Sequence, residues 1–264
     1  MYIDIHTHAF HPKIAHKVLA QLDDHYGIKP VGTGLAEDLK ERLTRAGLNR
    51  AVVLCAATTP AQVIPANAFA RDVQTRYPDT FIAFGAIHPY CEDWEDHIAV
   101  MKKAGVRGLK FHPEFQNFSL DDPALLPILE AVGEDMLVMC HVGDRLPPAE
   151  NPSCPYKLQA LRRRFPKVRF IAAHMGGYLH WEHALKTYIG EPVYIDTSSA
   201  LPIMDPALRE EIFRRHPREF ILFGSDYPLF DPSEALYDLE HSVNLSDEAL
   251  DDLLLNSARA LGLK

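Results

Sequence analysis

Thiols are few and unpaired in this chain of 264 residues. Its 4 cysteines, Cys55, Cys91, Cys140 and Cys154, show no CxxC spacing. That excludes a zinc knuckle and a dithiol redox motif, and a reduced, cytoplasmic setting is expected. No apolar run approaches the roughly 20 residues that span a bilayer, so no membrane association is expected. The opening segment MYIDIHTHAF carries no basic stretch and begins directly with strand-like alternation, so no secretion leader is expected. Basic clusters are also missing beyond Arg162, Arg163 and Arg164, and the net charge is −9. Such a surface repels phosphate backbones and anionic lipid, which argues against nucleic-acid partners. No Gly/Ser linker, internal repeat or low-complexity tract divides the chain, so one domain is expected over residues 1–264.

Histidine is plentiful, with 14 residues. Imidazole is the commonest metal ligand, so the positions of these rings decide the reading. Short apolar or β-branched runs at 2–8, 51–57, 81–88, 106–112, 136–141, 168–174, 193–197 and 220–226 read as strands. Between and after them, apolar residues at three- and four-residue spacing predict helices over 35–46, 67–77, 94–104, 125–133, 156–165, 179–189, 206–216, 232–241 and 246–261. Several helices open on a capping residue, such as Asp205 before Pro206, Asp231 before Pro232, and Ser246. Eight strands alternating with helices imply parallel pairing and right-handed crossovers. At this length the economical closure is a (β/α)8 TIM barrel. A doubly wound open sheet is the runner-up, but the turn after the first strand holds His6-Thr7-His8 in place of a glycine-rich phosphate loop.

Catalytic groups of such barrels sit at the C-terminal ends of the strands. Six of the eight predicted strands end in a titratable or metal-competent side chain. These ends hold His6 and His8, His88, Lys110 and His112, His141, His174, and Asp226. The two-residue period places His6 with His8, Lys110 with His112, His141 with Met139, His174 with Ala172, and Asp226 with Gly224 on inward faces. Four imidazoles and one carboxylate at one mouth form an N/O donor set suited to a divalent metal, with zinc expected. His112 and Arg145 are expected to contact substrate, and Asp4 to lie beneath the ligands. The segments 9–34 and 144–155 are long enough to shape the pocket, with Phe115, Phe118 and Trp181 as wall candidates. His11, His16, His25, His97, His180, His183, His216 and His241 are assigned mostly to surfaces.

The phrases DIHTH, GLKFHP, HVG, AHMGG, YIDTS and GSDYP resemble the amidohydrolase superfamily over nearly the whole chain. Within it they are most similar to the amidohydrolase 2 branch, which holds the aminocarboxymuconate semialdehyde decarboxylase-like enzymes. The resemblance implies that His6 and His8 bind the more buried metal, with His141, His174 and Asp226 completing the set. It also places Lys110 where binuclear members carry a carboxylated lysine, a residue that decarboxylase-like members usually lack. One ion or two, and Lys110 as a free ammonium or a bridging ligand, therefore stay open.

The expected chemistry is metal-assisted hydrolysis of an amide, ester or lactone in a small organic substrate. Asp226 would be the general base, and His174 would bind metal or steady the oxyanion. The alternative is metal-dependent, non-oxidative decarboxylation of a small aromatic or enoic acid. A non-catalytic metal-binding barrel is the third reading. A homodimer is compatible with the fold.

Overall fold

The computed structural model describes residues 1–263. Two parallel sheets run in the orders β1-β2-β3 and β4-β5-β6-β7-β8-β9. The strands are β1 Ile3–His8, β2 Arg50–Leu54, β3 Phe81–Ala83, β4 Gly85–Ala86, β5 Gly108–Phe111, β6 Leu137–Cys140, β7 Arg169–Ala172, β8 Tyr194–Asp196 and β9 Ile221–Leu222. Only Phe84 separates β3 from β4, so these are one path and the eight expected strands are present. Backbone bonds across the other seam run from Ile5 N to Phe223 O (2.9 Å), Asp226 N to His6 O (2.8 Å) and His8 N to Tyr227 O (2.7 Å). The architecture is the (β/α)8 barrel.

Two apolar cores follow from strand alternation. The inner core includes Ile3, Ile5, Val52, Leu54, Ile82, Phe84, Leu137, Met139, Ile171 and Leu222. The outer core, between sheet and helices, takes their neighbours, such as Val53, Leu109, Phe111, Val138, Cys140 and Ala172. Each strand is buried on both faces, as parallel strands require. Ala258, Ala260 and Leu261 close the barrel floor. The long C-terminal helix expected over 246–261 is instead two helices, Asp247–Leu254 and Asn256–Ala260.

Inner and outer assignments depart from strict alternation at two strands that carry site residues. In β1, Ile3 and Ile5 already face inward, which would send His6 and His8 outward. The pairing register with β2 shifts between Asp4 and Thr7. Such a bulge reverses parity and returns the histidines to the interior. In β7, Ala172 lies in the outer core, so His174 does not follow it inward by alternation. Consecutive positive φ angles at His174 (60°) and Met175 (54°) redirect the chain there instead.

Residues 9–34 are not a plain loop. They contain helix α1, Ala15–Tyr26, ended by Gly27 in the left-handed region. Helices α2, Ala36–Arg45, and α3, Val63–Arg76, follow on the outer face. No helix among the described residues is long and apolar enough to cross a membrane.

Candidate metal centre

Three imidazoles are presented at the barrel mouth by partners on their far nitrogens. His8 Nδ1 lies 3.2 Å from the Leu54 carbonyl, an acceptor only, so Nδ1 carries the proton and Nε2 a free lone pair. His174 Nδ1 is fixed in the same sense by Ser198 O at 3.1 Å. His6 Nδ1 donates to Asp196 Oδ2 at 3.1 Å. Carboxylate or carbonyl backing of this kind is how metal-binding histidines are held. Burial would raise the Asp196 carboxyl, but His6, His174 and Ser198 outweigh it and hold it at about 2. Burial holds the His6 imidazolium down. The pair is thus an ionised carboxylate beneath a neutral ring.

Asp226 completes the group. Its Oδ1 lies 3.5 Å from His6 Nε2 and 3.4 Å from His8 Nε2, and Ser199 donates to Oδ2. Donor atoms of His6, His174 and Asp226 all lie within 4.8 Å of one another. Two structural details make room. A Cβ at Gly224 would come within 2.8 Å of His6 Cβ, so no side chain fits there. Asp4 Oδ1 accepts from His6 N and Ser225 N, both at 3.1 Å, tying β1 to the segment that carries Asp226. Asp4 thus pins backbone and does not touch the ligand rings. The donor set, three imidazole Nε2 atoms and a carboxylate, fits a divalent metal.

Lys110 is wholly buried, with Nζ 3.2 Å from His6 Nε2. Burial pushes its ammonium down, while Asp196 and Asp226 pull it back up. His141 Nδ1 is 2.9 Å from His174 Nε2, so this ring adjoins the donor group. Its other nitrogen, Nε2, lies 3.9 Å from Asp144 Oδ2 and has no hydrogen-bond partner among the described residues, while the ring itself stands beside His112 and Glu114. Donor atoms of His112, Glu114 and His141 also lie within 4.8 Å of one another. The His112 and His141 rings stack at 4.0 Å and 12°, however. Parallel rings at that spacing cannot aim in-plane lone pairs at one ion, so this group forms a polar wall. Burial pushes the Glu114 carboxyl up to about 8. Tyr26 Oη, 3.1 Å from His112 Nε2, brings α1 onto the same wall.

The centre opens into a cavity of about 630 Å³, lined by His6, His8, Lys110, His112, His141, His174 and Asp226 at its inner end. Other expectations are corrected. Arg145 does not line the cavity: its guanidinium donates to the carbonyl of Tyr26 on α1, and the rest of 144–155 also stays outside. Phe115 lines the wall, but Phe118 packs edge-to-face against Phe111 in the outer core, and Trp181 Nε1 donates to His174 O at 2.9 Å from outside the cavity. His180 and His216 are buried, not superficial, and His88 holds Gln116 O at 3.0 Å. Sequence reasoning missed Asp196, Ser198 and Ser199, although the first two sit in the strand-end YIDTS phrase and the third follows it directly.

The model of the amidohydrolase family matches residues 3–263. The chain belongs to the amidohydrolase family. No curated protein matches it. Among solved structures, this amidohydrolase is similar to an uncharacterised TIM-barrel protein of Bordetella bronchiseptica, with TM-score 0.79, 18% identity, and 99% and 98% of the two chains covered. It is also similar to 5-carboxyvanillate decarboxylase of Sphingomonas paucimobilis, with TM-score 0.71, 14% identity, and 100% and 99% covered. A third is a dihydroxybenzoic acid decarboxylase of Polaromonas, solved with bound manganese and an inhibitor, with TM-score 0.72, 15% identity, and 99% and 96% covered. At these identities the likeness establishes the fold.

Proposed function

We propose that this amidohydrolase is a metal-dependent decarboxylase of an aromatic or enoic carboxylic acid. One observation carries the reading. In a protein of net charge −9, the cavity walls hold three lysines, Lys13, Lys17 and Lys110, and a single carboxylate, Asp226. That local excess of positive charge suits an anionic substrate and draws it inward. The solved decarboxylases of the same fold support it. Hydrolysis of a neutral ester, amide or lactone would use the same ligands but would leave the three lysines without a role.

The divalent metal would be held by His6, His8, His174 and Asp226, with His141 adjoining. When bound it supplies a Lewis acid for the substrate's oxygens. Zinc suits the nitrogen-rich donor set, and manganese is the ion in the Polaromonas enzyme. Lys110 is placed to pair with the substrate carboxylate. The apolar walls exclude water, which strengthens that pairing. The bond from the carboxylate to its carbon then breaks, carbon dioxide leaves, and the electron pair stays on the carbon. That carbon takes one proton, which we assign Asp226 to relay. Its carboxylate, held ionised against its burial by His6, His8 and His174, takes the proton from a water and hands it to the carbon, and the hydroxide left behind goes to solvent.

The test is carbon dioxide release by metal-loaded protein from a panel of hydroxybenzoic and enoic acids, beside an ester, amide and lactone panel. Release from any acid, abolished in Asp226→Asn, is the expected result. Turnover confined to the second panel would overturn the reading.

A further inference from the structure

The cavity extends well beyond what the metal centre needs. Its outer half is walled by the face of α1 that carries Val18 and Leu22, with Ile14 just before the helix start and Tyr26 at its end. These positions recur every four residues, so they form one stripe. An apolar stripe on a helix normally seals a core. Here Ile14 is 48% exposed, and neither it nor Val18 packs against either core. The stripe from Ile14 to Leu22 is about 12 Å long at the helical rise of about 1.5 Å per residue. Phe69 of α3 and Phe10 line the cavity with it. Phe10 lies parallel to the His8 ring at 6.2 Å, so the apolar path is continuous with the metal ligands.

We infer that this amidohydrolase takes substrates with an extended apolar body, a two-ring aryl or medium-chain group, whose acidic head reaches the metal centre while the body lies along Ile14, Val18 and Leu22. The inference rests on the proposed carboxylic-acid substrate for the head alone. A single-ring acid would leave the stripe in water, whereas a cavity of about 630 Å³ falls within the range that encloses ligands of drug size. The lysines at positions 13 and 17, beside the stripe, keep the mouth wet and cationic.

The test is calorimetric binding of n-alkyl hydroxamates, from acetohydroxamate to decanohydroxamate, to the metal-loaded protein. Each added methylene buried along the stripe should tighten binding roughly three- to fourfold. In the Ile14→Ser, Val18→Ser double variant the series should flatten, with acetohydroxamate affinity unchanged. A flat series in the wild type, or an equally steep one in the variant, overturns the inference. So does a flat series accompanied by a smaller mass of the variant in light scattering, which would assign the stripe to contact with a second copy. The two proposals fail separately. A steep series without carbon dioxide release sinks only the decarboxylase reading. Release with a flat series sinks only this one.

Discussion

His6 Nδ1 stands 3.1 Å from Asp196 Oδ2, with both side chains buried at the floor of the donor group. The same carboxylate accepts from Ser198 N at 3.1 Å, and Ser198 Oγ lies 3.0 Å from both His6 Nδ1 and His174 Nδ1. One residue therefore orients two metal-facing rings without reaching the metal position itself. Asp196→Asn keeps the shape but removes the negative charge behind His6. Metal affinity should fall by about 10–100-fold. Competition against a fluorescent chelator measures this directly, and unchanged affinity would remove Asp196 from the metal-holding machinery.

Metal removal should also lower stability. Donors preassembled in the folded chain bind metal that the unfolded chain binds poorly. Metal at about a hundred times its Kd adds about 2.7 kcal/mol. For a domain of this size that corresponds to a melting-temperature rise of roughly 5–10 °C. Calorimetry of chelator-stripped and reloaded protein should show it. His8→Ala should lose most of the difference, because His8 Nε2 is one of the donors around Asp226 Oδ1.

A third expectation concerns α1. Its C-terminal end is held to the loop after β6 by two contacts: Arg145 donates to Tyr26 O, and His25 Nε2 lies 3.0 Å from Asp144 Oδ2. Removing both, in an Asp144→Ala, Arg145→Ala double variant, should loosen residues 9–34 while the barrel stays intact. Hydrogen exchange should rise in that segment and not in β5 to β8. Because Tyr26 and the apolar stripe line the cavity, KM should rise more than kcat falls.

The barrel and the convergence of its strand-end residues were legible because both follow from local rules: alternation of strand and helix, and polar residues at strand ends. Side-chain direction was less so. The inward turn of His6 and His8 depends on a bulge between Asp4 and Thr7, and that of His174 on two positive φ angles, and neither follows from a two-residue period. Helix α1 is not legible from core-type apolar spacing, because its stripe meets the core only at Leu22 and Tyr26 and faces the cavity at Ile14 and Val18. Arg145 was misplaced because a charge next to a ligand in sequence need not point into the same cavity. Its partner, the Tyr26 carbonyl, is 119 residues away.

His216 offers a pH test remote from the metal. It is buried, its Nε2–H donates to Val193 O at 2.9 Å, and its Nδ1 accepts from Gly190 N at 3.2 Å. Only the neutral ring satisfies both bonds, since a proton on Nδ1 would face the Gly190 N–H. Burial lowers its pKa to about 4 from the ordinary 6.5. Between those values the unfolded chain binds the extra proton and the folded chain does not, so stability rises with pH across that window and is lost as pH falls. From about pH 7.5 down to about pH 5, this one residue should cost about 2 kcal/mol. His216→Gln should be less stable than wild type near neutrality, and the gap should narrow by that amount at the acid end. Urea midpoints of both proteins at the two pH values decide it. Parallel losses in the two would show that His216 does not carry the acid sensitivity.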